Sequence, residues 1–223
     1  NGTLRLLNTQ TITGLTNDTG SGTVLLTPTS DTTGLKMGNS YNNLVVNDST
    51  FAHWPLDEQA GATANDVSGY GKHATYVDSP TPSSDRPTTN FANYSSLDFD
   101  GSNDALSFDG QTIPANSTWC SWAKIDSGNA VILGSGTTGS YALAVYGGNQ
   151  VRVYGQAGVD EASWSVSSLY GSWHHLCVTQ TDMTVYYAMT LYIDGVSQGG
   201  NETLDDGAGS ISRIGTDTTD YIN

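Results

Sequence analysis

The sequence predicts an all-β protein: a sandwich, barrel or jelly roll preceded by a β-rich segment. Three observations carry this. No window of a dozen residues places apolar side chains at the 3.6-residue spacing of an amphipathic helix. Short β-type segments recur instead, each bounded by Gly, Asn, Asp, Ser or Pro. The 223 residues include 26 Gly and an abundance of Ser, Thr and Asn, residues that supply turns. Many short strands between frequent turns are the pattern of sandwiches and related closed sheets.

The strands can be taken in chain order. Residues 1–50 are rich in Thr, Asn and Gly, and TLRLL, TVLLT, GLKM and NLVV are their strand candidates. Residues 51–223 hold all five Trp, both Cys and all four His, so the main core is expected there. Asp57 and Glu58 are expected to end a strand at a polar turn. Ser68-Gly69-Tyr70-Gly71 offers glycines where φ turns positive. Pro80 to Asn90 reads as a surface loop between strands. SLDF, ALSF, AVILG, YALAVYG and VRVYG follow as strands. In HHLCVTQ, Leu176 and Val178 share one face, while His175, Cys177 and Thr179 share the other. In LYIDG, Leu191 and Ile193 share a face and Asp194-Gly195 signals a hairpin, which makes HHLCVTQ the expected antiparallel partner.

Seven Lys and Arg stand against 22 Asp and Glu, a formal charge of −15. Such a balance argues against nucleic acid as a partner, because phosphates need a basic patch. It equally disfavours an anionic membrane surface. It fits a soluble protein of salty or extracellular fluid, whether the acids hold cations or only maintain solubility. No run of about 18 apolar residues is present, so no spanning helix and no membrane insertion are expected. The chain starts at Asn1 and shows no signal peptide, which reads as a processed or excised chain. Sequons stand at Asn1, Asn17, Asn47, Asn93, Asn116 and Asn201, and matter only in a host that glycosylates secreted protein. Cys120 and Cys177 allow one intramolecular disulfide or two buried thiols. A bond between them would place the protein outside the cytosol.

Four segments in order resemble a known family. They are FAHWPLDEQAGATANDVSGYGKHATYV, SLDFDGSNDALSF, STWCSWAKI, and WHHLCVTQTD followed by LYIDG. Together they resemble the laminin-G-like and pentraxin-like modules of the concanavalin-like lectin/glucanase superfamily, over about 145 residues. The resemblance implies an antiparallel jelly-roll β-sandwich at 51–223, with residues 1–50 a β segment for attachment or assembly. It also implies that Cys120 pairs with Cys177, since such modules link the two corresponding strands.

Candidate sites follow. Family members often bind calcium through loop carboxylates. Here the late acidic cluster has counterparts in Asp217 and Asp220, whereas the early Asp-Asn pair has none. One structural calcium near Asp66 and the Ser68–Gly71 turn is the candidate cofactor, set against the favoured reading that Asp66 and Asp104 only cap turns. Catalysis is not expected. The superfamily's glucanases carry Glu-x-Asp-x-Glu on one strand face, and no such strand occurs. Asp57-Glu58, Asp160-Glu161 and Asp205-Asp206 are adjacent pairs that a strand would point in opposite directions. His174 and His175 belong to the family's structural strand, one packing and the other solvated. Tyr146, Tyr154, Trp164 and Tyr170 lie in the least family-like region and are the candidate sugar platforms.

The family's last strand has no counterpart at the C-terminal DYIN, yet NGTLRLLNT at the N-terminus looks like a shortened version of it. An open sheet edge exposes unpaired backbone. Leu4, Leu6 and Tyr221 therefore mark a candidate assembly edge. It would be completed by a neighbouring repeat, by a second subunit through strand addition, or by the chain's own N-terminus. The leading expectation is a non-enzymatic recognition module at an extracellular, cell or virion surface, binding glycans or cell-surface components. The second is a self-associating structural subunit of a filament or virion appendage. A glycan hydrolase comes last.

Overall fold

A computed structural model describes residues 23–26, 43–46, 51–135, 141–154, 161–183, 187–199, 202–204 and 210–216. The contacts divide the chain into two compact units, Asn1–His53 with Val67–Gly71, and Trp54–Asp66 with Lys72–Asn223. The first contains β1 (Thr23–Leu26) and β2 (Asn43–Val46), paired in parallel from Thr23 with Asn43 to Leu26 with Val46. These are the TVLLT and NLVV candidates. TLRLL and GLKM lie outside the described residues.

The second unit is an all-β sandwich, with no helix among the described residues. Its strands are β3 (Thr63–Ala64), β4 (Ala74–Val77), β5 (Thr81–Ser83), β6 (Ser96–Asp98), β7 (Ala105–Thr112), β8 (Ser117–Lys124), β9 (Ala130–Gly134) and β10 (Tyr141–Tyr146). They continue with β11 (Gln150–Tyr154), β12 (Glu161–Ser165), β13 (Trp173–Asp182), β14 (Tyr187–Ile193), β15 (Val196–Ser197), β16 (Glu202–Leu204) and β17 (Ser210–Ile214). An eight-stranded antiparallel sheet runs in the order β12-β11-β10-β9-β17-β7-β4-β3. A five-stranded antiparallel sheet runs β15-β14-β13-β8, with β16 also on β14.

One core lies between these two sheets. Strand alternation makes it: Trp119 and Ala123 of β8, Leu176 and Val178 of β13, and Met189, Leu191 and Ile193 of β14 turn inward from the smaller sheet. Leu106 and Phe108 of β7, Ile132 of β9, and Val151 and Val153 of β11 meet them from the larger. The buried Trp119 indole Nε1 donates to the Ala142 carbonyl of β10 at 2.8 Å, joining the sheets by a hydrogen bond within the apolar layer. Gln180, the inward residue after Val178, donates to the Pro114 carbonyl at 3.0 Å, so its polar end is satisfied where it is buried.

Two local readings are corrected. Residues 51–58 form no strand before Asp57 and Glu58. Pro55 supplies no ladder donor, and Leu56 turns the chain with φ at 55°. Trp54 instead packs on Phe108, ring centroids 4.7 Å apart, and donates to the Lys72 carbonyl at 2.7 Å. Glu58 Oε1 accepts from the Asn65 backbone N–H and side-chain amide. The segment 80–90 is not wholly loop, because β5 within it pairs with β6, Pro82 standing opposite Leu97. A proline is accommodated in so short an edge pairing because few of its positions need a donor.

Candidate functional site

The disulfide comes first, because the sheet register builds it. β13 pairs with β8 over eight positions, from Trp173 with Lys124 to Gln180 with Ser117. Cys177 falls directly opposite Cys120, and both side chains turn away from the core; they form the disulfide. This answers why a cysteine occupies the outward face of a core strand: its partner stands on the neighbouring strand. His175 and Trp122 form the next outward pair, with ring centroids 5.1 Å apart. One further step brings Trp173 beside Lys124. There Asp85 accepts from the Trp173 indole at 2.9 Å and pairs with the Lys124 ammonium at 2.6 Å. The Lys124 ammonium, then the Trp173 indole, hold the Asp85 carboxyl below the ordinary carboxylate range.

The β14–β15 turn is built on Asp194 and Gly195, both with positive φ, as the Asp-Gly hairpin signal requires. Asp194 Oδ1 accepts from the His175 N–H at 2.8 Å, and Oδ2 lies 2.8 Å from His174 Nδ1. Partial burial opposes its ionisation. The bonds from His175 and His174 and their charge outweigh that, leaving the carboxyl below its ordinary value. The two imidazoles thus divide between a turn clamp and a ring packed at a tilt against Trp122.

The four candidate aromatics separate. On β11, Val151 and Val153 face the core, so Gln150, Arg152 and Tyr154 face outward on the eight-stranded sheet. Tyr146 and Tyr154 lie on that outer face, each packed against Val131 and Ala144, which are 0 % exposed. The Arg152 guanidinium lies over the Tyr146 ring, 4.5 Å from its centroid, and donates to Gln150 Oε1. Trp164 is elsewhere: it is 5 % exposed and packs in the sandwich core, so neither ring face is open to a sugar. Tyr170 is half-buried against the core; its hydroxyl donates to the Gly128 carbonyl at 2.7 Å and its ring lies over Gly148. Arg152 was missed in the sequence, although VRVY places it two residues from Tyr154 and hence on the same face.

The carboxylates also sort. Asp66 is buried; its Oδ2 accepts from the Lys72 N–H at 2.9 Å, and its own N–H donates to His73 Nδ1 at 3.0 Å. Asp104 is buried and accepts from the Ser79 N–H at 2.8 Å and the Asp100 N–H at 3.2 Å. Both therefore hold loop backbone. Asp104 also lines an open acidic cleft with Asp78, Asp98, Asp100 and Asn103. Bonds from the Ser102 and Asn103 N–H groups hold the Asp100 carboxyl below its ordinary range. The cleft was not foreseen, though FDGSND contributes three of its members. Asp217, Asp220, Leu4, Leu6 and Tyr221 lie outside the described residues. So do the pair Asp205-Asp206, Asp160, and the sequons at Asn1, Asn17, Asn47 and Asn201.

A family model described as the Concanavalin A-like lectin/glucanases superfamily, of laminin G type, matches residues 100–222, more than half of the chain. Comparison with curated proteins and with solved structures gave no match.

Proposed function

Because the chain belongs to the concanavalin A-like lectin/glucanases superfamily, we propose that it is a non-enzymatic recognition module that binds glycans outside the cell. The superfamily supports a carbohydrate-binding or structural module in general terms. The observation that carries the finer reading is the outer face of the eight-stranded sheet, which Tyr146 and Tyr154 share with Arg152 and Gln150. The Tyr154 ring is the platform for the C–H face of a pyranose, while the Gln150 amide and the Arg152 guanidinium, which lies over Tyr146, supply hydrogen bonds to its hydroxyls. The disulfide supports an extracellular setting. One structural calcium, held by Asp66 or by Asp217 and Asp220, is part of the proposal.

The test is a glycan array probed with wild type and with Tyr154→Ala, each with calcium and with EDTA. Saturable binding by wild type that Tyr154→Ala weakens at least about tenfold supports the reading. Binding lost in EDTA assigns calcium to the site. Folded protein that binds nothing in either arm refutes it. A second reading, a subunit of an extracellular filament or virion appendage, is favoured by the parallel β1–β2 pair. Among the described residues this sheet has two strands, a marginal number in water, and strand addition from another copy would extend it. Light scattering decides this: a concentration-independent monomer removes it.

A further inference from the structure

The outward face around the disulfide brings three soft-metal ligands to one point. Cys120 and Cys177 stand opposite each other on β8 and β13, and His175 precedes Cys177 by two residues on the same strand face. The Cys177 Sγ lies 3.7 Å from His175 Nε2 and 3.8 Å from Nδ1. One ligand atom from each of the three residues lies within 4.8 Å of the others. Cys120 is exposed, and Cys177 and His175 are half-buried, so solvent reaches the cluster. A tetrahedral zinc ion with bonds of about 2.0–2.3 Å separates its ligand atoms by roughly 3.4–3.8 Å. The cluster needs only an imidazole rotation and an opened S–S bond to reach that spacing.

We propose that Cys120, Cys177 and His175 form a redox-gated zinc site, closed as a disulfide and opened by a thiol or phosphine reductant. With a thiol, two R–SH molecules reduce the disulfide, giving the Cys120 and Cys177 thiols and one R–S–S–R. Zinc then replaces the two thiol protons, which pass to solvent, and the neutral His175 imidazole supplies the third ligand. The fourth position falls to water, as at zinc sites with three protein ligands. Two thiolates and an imidazole select zinc over the hard cations that carboxylates take. The other seven register pairs between β8 and β13 keep the ligands opposed after the bond opens. This site is independent of the glycan reading, which uses the other sheet.

Co²⁺ is the probe, because zinc is spectroscopically silent. The full chain is reduced with a phosphine under inert gas and titrated with Co²⁺, then with Zn²⁺ in competition. A thiolate-to-cobalt charge-transfer band in the reduced wild type, absent from the oxidised protein and from Cys120→Ser/Cys177→Ser, and displaced by Zn²⁺, is expected. His175→Ala should retain the band but bind at least about tenfold more weakly, a loss seen even when a group merely supporting a ligand is removed. Reduced wild type that binds no better than the double serine variant overturns the site. Equal affinity in His175→Ala overturns the assignment of the third ligand. Loss of the native near-ultraviolet dichroism on reduction overturns it too, because the ligands then have no paired strands to hold them.

Discussion

Single residues fix the turns of this protein. Asp194 holds the β14–β15 turn by accepting from His175 and His174. Its carboxyl titrates below the ordinary value of 3.8. A carboxyl lowered in the fold contributes stability that is fully present above its unfolded value and is lost as pH falls through the folded one. Acid unfolding of the wild type should therefore steepen below about pH 4, and Asp194→Asn should flatten that limb while being less stable near neutrality. Denaturant midpoints against pH measure both, and an unchanged limb would remove Asp194 from the account. Gly148 meets a different constraint. Its φ is +70°, and an added Cβ would lie 2.5 Å from the Tyr170 ring. Gly148→Ala should cost about 1–3 kcal/mol, read as a lower urea midpoint. The Asp-Gly turn is readable in the sequence because local chemistry decides it. The Gly148–Tyr170 contact is not, because it joins residues whose approach only the finished sheet dictates, and without it the sequence offers Tyr170 as a ligand platform.

At the scale of strands, alternation carried most of the reading. Leu176, Val178, Leu191 and Ile193 are buried, as the period of two requires. The same rule put Cys177 outward, but the identity of its partner came through the resemblance. Trp164 shows the limit: β12 runs along the larger sheet with this ring turned inward, and whether a strand's aromatic faces core or solvent depends on which sheet receives it. β5 escaped notice because three residues with a proline give no periodicity. The disulfide spans 57 residues of sequence, for which the chain-entropy model gives about 4 kcal/mol. Cys120→Ser/Cys177→Ser should lose up to that amount in denaturant unfolding, with m rising because the freed unfolded chain exposes more surface. A full-sized loss at unchanged m would place the effect in the folded state instead.

For the molecule as a whole, a formal charge of −15 makes self-repulsion the dominant long-range force. Added NaCl shortens the screening length from about 10 Å at 0.1 M to about 3 Å at 1 M. The melting temperature should therefore rise with salt; a fall would show that attractive pairs such as Lys124–Asp85 outweigh the repulsion. The all-β class and the family were legible from composition and four segments, whereas the glycan face and the acidic cleft each needed the assembled sheets. One feature of the topology also bears on synthesis. β17 sits between β9 and β7 in the interior of the larger sheet, and Ser210 pairs with Thr112. At about 5–20 residues per second, a ribosome delivers β17 roughly 5–20 s after β7. During that interval the edges of β7 and β9 that β17 will join are unpaired and open to other chains, so the interval between the two strands is the one in which a growing chain is most exposed to edge-to-edge association.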